Sequence, residues 1–167
     1  MAHREIEQLI ALLDEAYAGP AWHGPCLRGA LRGVTSEEAA WRPGPGRHNI
    51  WEIAVHAAYW KYAVRRRLLG GKRGSFGEKG SNWFVRPAAL DGSEAATDKA
   101  WRGDLTLLNQ AHQELRETVV KNNPAALDRR SPGSRQTPRS MIAGIAMHDV
   151  YHAGQIQLLK GLMQAAE

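Results

Sequence analysis

Residues 141–159 read MIAGIAMHDVYHAGQIQLL, in which Met141, Ile145, His148, His152, Ile156 and Leu159 follow one another at intervals of three and four. That interval traces one face of an α-helix. Thr137 can cap this helix, Pro138 is a favoured first residue, and the pattern runs to about Gln164. Two imidazoles therefore stand where the helical period places the core, among Met, Ile, Val and Ala. A ring placed there loses its water and must find partners, at about 1 to 3 kcal/mol for each unmet polar group. Spaced four apart, His148 and His152 project from one face, the arrangement by which two histidines grip one metal ion.

Three further long helices can be read upstream. Ile6, Leu9, Ile10, Leu13 and Tyr17 recur at helical spacing until Gly19-Pro20 stops them. The second long helix starts at Ile50, where Asn49 and Glu52 have capping-box spacing, and runs to Leu69 before Gly70-Gly71, a length of roughly 30 Å. The third carries Trp101, Leu105, Leu108, His112, Leu115 and Val119 as a coiled-coil-like seam. Between the first two, Gly and Pro break the chain, leaving room for short helical turns at Leu27 to Leu31 and, capped by Thr35 or Ser36, at Glu37 to Trp41. Arg42-Pro43-Gly44-Pro45-Gly46 then forms a rigid loop. From Gly70 to about Thr97 a Gly-rich stretch without periodicity makes a connection long enough to cross a bundle. No strand pattern competes. The expectation is all-α: a single domain over residues 1–167, built as a four-helix bundle with up-down-down-up order, the long crossover joining parallel second and third helices.

Composition narrows the function. The 167 residues are 43% hydrophobic and 23% charged, as in soluble globular proteins, and 22 Lys plus Arg against 17 Asp plus Glu give a spread net charge of +5. Basic runs such as Arg65-Arg66-Arg67, Lys72-Arg73 and Arg129-Arg130 lack the aromatic interleaving or reading helix of a nucleic-acid binder and read as solvated helix ends, so no nucleic-acid partner is expected. One cysteine, Cys26, cannot make an internal disulfide, no apolar stretch reaches membrane-spanning length, and no secretory signal opens the chain. A cytoplasmic protein held together by its core is expected.

A candidate third metal ligand lies on the second long helix, where every residue between Ile50 and Trp60 is apolar or aromatic except Glu52 and His56. His56 sits about 10 Å along its helix and His148 and His152 roughly 15 to 21 Å along theirs, depths that can coincide in a bundle. Three neutral imidazoles leave an open position on Zn, Ni or Fe(II), and an open position marks catalytic rather than structural metal.

The segment Arg42-Pro-Gly-Pro-Gly-Arg-His-Asn-Ile-Trp-Glu-Ile-Ala-Val-His56 and the segment His148-Asp-Val-Tyr-His-Ala-Gly-Gln155, in this helix order, resemble the DinB-like superfamily of bacterial four-helix-bundle proteins. The resemblance implies a metal triad of His56, His148 and His152, a homodimer, and chemistry like that of relatives such as bacillithiol transferase and mycothiol-dependent maleylpyruvate isomerase. The expected function is a divalent-metal enzyme acting on a small-molecule substrate, in which a low-molecular-weight thiol is activated for transfer, or water for hydrolysis. The competing expectation is a non-catalytic dimeric, stress-related module whose ion only fixes the bundle.

Other residues carry two readings each. Glu52 either closes the capping box or serves as a carboxylate beside the metal, and Gln155 either orients a bound group at the metal or bonds a backbone. Both are candidate catalytic residues. Asp149 points about 100° from His148 and suits a partner on a neighbouring helix or chain. His112 is read as a core histidine, with the same cavity as the alternative. Gly154 costs about 1 kcal/mol in a helix and implies close helix approach. Tyr59, Trp60 and Tyr62 fit the core, whereas Trp83 and Phe84 are loop aromatics with pocket character; His3, His23 and His48 are left out of the site. His148-Asp-Val-Tyr-His152 lacks the Glu base of zinc proteases, Gly71-Lys72 lacks the rest of a phosphate loop, and no Ser or Cys nucleophile can be assembled.

Overall fold

The computed structural model describes residues 2–71, 74–87, 94–130 and 134–166; Lys72 and Arg73, read above as a solvated helix end, lie outside them. The described residues are helical, without strands: α1 (Ala2–Tyr17), α2 (Leu27–Leu31), α3 (Ser36–Ala40), α4 (Ile50–Leu68), α5 (Glu94–Val120), a 3₁₀ turn (Pro124–Ala126) and α6 (Pro138–Gln164). The ends are set by local chemistry. Thr35 accepts from the Glu38 N–H while the Glu38 carboxylate accepts from the Thr35 N–H, a complete capping box. Asn49 and Thr137 cap α4 and α6, with Pro138 at the first position. Gly70, at φ +73°, closes α4 in a Schellman arrangement, its N–H reaching Arg67 O and that of Gly71 reaching Arg66 O. α5 begins at Glu94, upstream of the predicted Thr97 boundary, because EAATDKA consists largely of good helix formers although it lacks an apolar stripe.

The four long helices pack as a ring in which α4 meets α5, α5 meets α1, α1 meets α6 and α6 meets α4. Named contacts give their relative register. Trp51 and Arg65 of α4 bond Asp104 and Glu114 of α5; Tyr17 and Asp14 of α1 bond Asn109 and Arg116 of α5. Ile53 of α4 shares a cavity wall with Leu158 of α6, and Val64 shares one with Met141. The short α2 and α3 pack on α6 and α4 respectively.

The apolar core is split in two. One half gathers Leu27, Leu31, Trp51, Trp101, Leu108 and Ile156; the other gathers Leu13, Val64, Leu115, Val119, Ile142 and Ile145. On three helices the division falls at ionisable residues: Lys61 on α4, His112 on α5, and His148, Asp149 and His152 on α6. At this level Lys61 and Asp149, both 0% exposed, form a hydrogen-bonded ion pair between α4 and α6. Asp149 thus finds the neighbouring-helix partner expected of it. Burial pushes the Lys61 ammonium down and the Asp149 carboxyl up from their ordinary values, and each is opposed by the other's charge. Lys61 also lies over the Tyr17 ring, 4.8 Å from its centroid.

Breaking that pair strands a buried charge. Lys61→Met should lower the unfolding free energy by about 3 to 5 kcal/mol, while Lys61→Met combined with Asp149→Leu should recover most of the loss. Urea titrations of the three proteins check this, and a double variant as unstable as the single one would contradict it.

Candidate metal centre

His56 projects from the second turn of α4, and His148 and His152 from successive turns of α6, toward one point. The Nε2 atoms of His56 and of His152 each lie 3.1 Å from Nε2 of His148. Among the described residues this is the one group of three or more His, Cys, Asp or Glu side chains whose ligand atoms converge, all within 4.8 Å of one another. A tetrahedral ion bound to imidazole nitrogens at 2.0–2.1 Å needs neighbouring ligand atoms roughly 3.3 Å apart, so the spacing suits one divalent ion.

The far sides of two rings fix their proton positions. His56 donates from Nδ1 to the Asn82 carbonyl at 2.7 Å, and His152 donates from Nδ1 to Gln155 Oε1 at 2.6 Å. In a neutral ring the Nε2 atom of each is then a lone pair, and both lone pairs face Nε2 of His148. One proton on His148 cannot serve two acceptors well, whereas a cation serves all three. Nδ1 of His148 is buried without a hydrogen-bond partner. Burial lowers all three pKa values, to about 3 for His148 and about 4 for His152, with the neighbouring rings adding to the shift. The imidazoles are therefore neutral near pH 7, the form that binds metal.

The loop before α5 supplies the surroundings. Asn82 holds φ +70°, a left-handed conformation that Asn tolerates, and this turns its carbonyl toward His56 while its side-chain oxygen accepts from Trp60 Nε1 at 2.9 Å. Trp83 stacks on His56 at 3.8 Å and on His48 at 3.6 Å, lying between the two rings. His48, left out of the predicted site, thus stands one ring away from the triad, with Nδ1 2.8 Å from Glu52 Oε2. Glu52 forms only half of the predicted capping box. Asn49 accepts from its N–H, but its carboxylate turns to the Arg42 guanidinium, His48 and the Arg86 N–H. Burial alone would raise its carboxyl pKa, and those bonds more than offset that, leaving it below the usual value.

Gln155 links His152 to the surface, since its amide also donates to the Tyr151 hydroxyl at 3.1 Å. With His48, Trp83, Arg47, Leu158 and Leu162 it lines a cavity of about 570 Å³. A smaller cavity of about 290 Å³ reaches His148 from the side of Trp60 and Arg67. A cavity of about 640 Å³ lies elsewhere, between α3 and the start of α5 along Ser36, Asp98 and Trp101.

Three other expectations are settled by position. His112 stacks on Tyr17 at 3.8 Å, with Nε2 3.8 Å from Asp14, and its pKa falls to about 3 through burial and the nearby Lys61, so it belongs to the core rather than to the triad. Phe84 is buried against Tyr59 and Phe76, which leaves Trp83 alone of the loop pair at the cavity. Gly154 is exposed, and a Cβ built on it meets nothing within 4 Å, so among the described residues no helix approaches it closely.

Sequence spacing located the three imidazoles. It missed Asn82, Arg42 and His48, whose roles come from a loop conformation and from a carboxylate turning away from its own helix end. The chain has no significant match among curated proteins or among solved structures. The model of the DinB superfamily matches residues 22–156, a span that holds α2 to α5 and all three converging imidazoles, and the chain belongs to that superfamily.

Proposed function

We propose that this chain is a divalent-metal-dependent enzyme acting on small molecules, with His56, His148 and His152 as ligands. The observation that carries the reading is the meeting of three Nε2 atoms, two of them fixed as lone pairs by Asn82 and Gln155. Three protein donors beside a cavity fit a catalytic site better than a four-ligand structural one. A bound ion would acidify a small thiol or water and so make it nucleophilic at neutral pH.

The protein's own groups have separable tasks. Gln155 keeps the His152 ring oriented and has a second amide N–H for a group bound in the cavity. Glu52 is a positioning residue: through His48 it steadies the Trp83 ring, which covers His56 and excludes water from it. Arg47 places donors at the cavity, His48 adds a ring whose Nδ1–H is taken by Glu52 and whose Nε2 can accept, and Ile53, Leu158, Leu159 and Leu162 give it an apolar wall, which suits a substrate with both characters. Thiol transfer to an electrophile is the preferred reaction and hydrolysis the second. The working unit is a cytoplasmic homodimer of single-domain bundles. The register of α4 with α5 and of α1 with α6 supports up-down-down-up order.

Titration with zinc or nickel should give one ion per chain. His148→Ala or His152→Ala should weaken binding by about a hundredfold or more, given that loss of a second-shell partner alone costs 10–100-fold. Gln155→Ala should retain the ion at reduced affinity and lower the rate of thiol consumption with an electrophile. Unchanged divalent-ion binding in both histidine variants would remove the reading.

Protons give a second check. In the folded metal-free protein His112, His148 and His152 take up protons only at about pH 3 to 4, whereas in an unfolded chain they do so near 6.5. The unfolded state therefore binds more protons in that window, and stability should fall as pH drops from about 6.5 toward 3. Urea midpoints at neutral and mildly acid pH measure it. A midpoint higher at the acid pH would contradict the burial of these rings.

A further inference from the structure

Two cavities approach the triad, and they meet it differently. The one of about 570 Å³ is lined by Gln155 and Trp83, which stand in front of His152 and His56. The one of about 290 Å³ is lined by His148 itself. His56 and His152 are buried, whereas His148 is only half-buried. The most open ring of the triad is thus the one that borders the smaller cavity, and a ligand seated there lies directly against a triad imidazole.

The walls of that cavity combine an apolar surface with one positive charge. Trp60, Met141 and Ile145 supply the first and Arg67 the second. The Arg67 guanidinium lies 5.6 Å from the centroid of the Trp60 ring, and the centroid of the His148 ring lies 6.3 Å from it, so one indole bridges the cation and the imidazole. Among the described residues Arg67 has no carboxylate partner, unlike Arg65, which pairs with Glu114. Gln136 adds donors. Its Oε1 accepts from Ser140 Oγ at 2.8 Å, and its amide N–H groups have no acceptor among the described residues. Gly144 leaves the space free. It lines the cavity one turn before His148, and a Cβ there would meet nothing within 4 Å. Packing does not demand a glycine at this position, and in a helix it costs about 1 kcal/mol relative to alanine; its effect is to keep a side chain out of the space beside His148.

We infer that the 290 Å³ cavity receives a small carboxylate-bearing molecule, with Arg67 holding its carboxylate, Trp60 lying along its apolar body, and its far end reaching the triad beside His148. One guanidinium fork matches the single charge and paired oxygens of a carboxylate, and the Gln136 amide can donate to the same group. Arg67 is in this account a specificity-determining residue, and Gly144 the position that keeps the approach open. A transfer reaction has two reactants, and the larger cavity on the far side of Trp83 remains for the second. The inference rests on the metal reading above and adds to it the charge of one ligand and the side from which that ligand comes.

The test uses the full-length zinc-loaded chain and three probes of similar length, mercaptohexanoate, mercaptohexanol and aminohexanethiol, whose affinities are measured by calorimetry. The parent should bind the carboxylate about tenfold more tightly than the alcohol, the low end for a charge-assisted pair because Arg67 is exposed. Arg67→Met should bring those two to one affinity, and Arg67→Glu should turn the preference toward the ammonium. Gly144→Leu, a change that helix propensity favours, should cost all three probes most of their affinity while the bound zinc stays unchanged. Zinc content is measured first in every protein. A parent chain that holds no zinc fails the metal reading and takes the inference with it. A zinc-loaded parent that binds carboxylate and alcohol alike overturns the inference alone. So does a preference that survives Arg67→Met and Arg67→Glu, or probe binding undiminished by Gly144→Leu.

Discussion

Removing polar side chains from water at one level of the bundle is the constraint on which the rest of this structure depends. Lys61, His112, Asp149 and His152 are almost fully buried there, and an ion pair, a ring stack and converging nitrogens answer their loss of solvent. The two apolar halves of the core meet at that level, so the polar groups decide how α4 sits against α6. Leucines tolerate sliding by a fraction of a turn. A buried ion pair and three rings sharing one point do not.

The loop from 74 to 87 follows from the same constraint. His56 needs an acceptor on its outer nitrogen, and the chain answers with a backbone carbonyl from a left-handed residue rather than with another side chain. Trp83 then fills the space between two imidazoles, and Glu52, drawn off its helix end by Arg42, holds the second of them. The path runs from a desolvated ring to a loop conformation to a cavity wall, each step set by an unsatisfied group at the one before.

Much of the fold was legible because helices announce themselves twice, by period and by caps. Gly19-Pro20, Asn49, Gly70 and Thr137-Pro138 mark ends that the structure places within a residue or so. His148 and His152 were legible because a polar ring inside an apolar stripe breaks the pattern, and His56 because it is one of two polar residues in an apolar run. The start of α5 was read late, since intrinsic propensity carries a helix past the end of its apolar seam. Asn82 has no signature in the sequence, and Arg42 and His48 stand in the segment that carries the family resemblance without showing their roles, because loop geometry has no period and a side chain's turn toward a distant partner is not encoded in spacing. Gly154 in a helical run signals close packing, yet among the described residues its surroundings are open.

The sandwich of His48, Trp83 and His56 has an optical consequence. An indole held face to face between two imidazoles, one of them aimed by its far nitrogen at the candidate metal site, has electronic transitions that respond to the charge on either ring. Filling the site changes the field on one face of that indole while the other stays open to solvent through the half-exposed His48. The contribution of Trp83, one of six tryptophans, to near-ultraviolet dichroism and fluorescence would thus register what occupies the centre of the bundle, with no label attached.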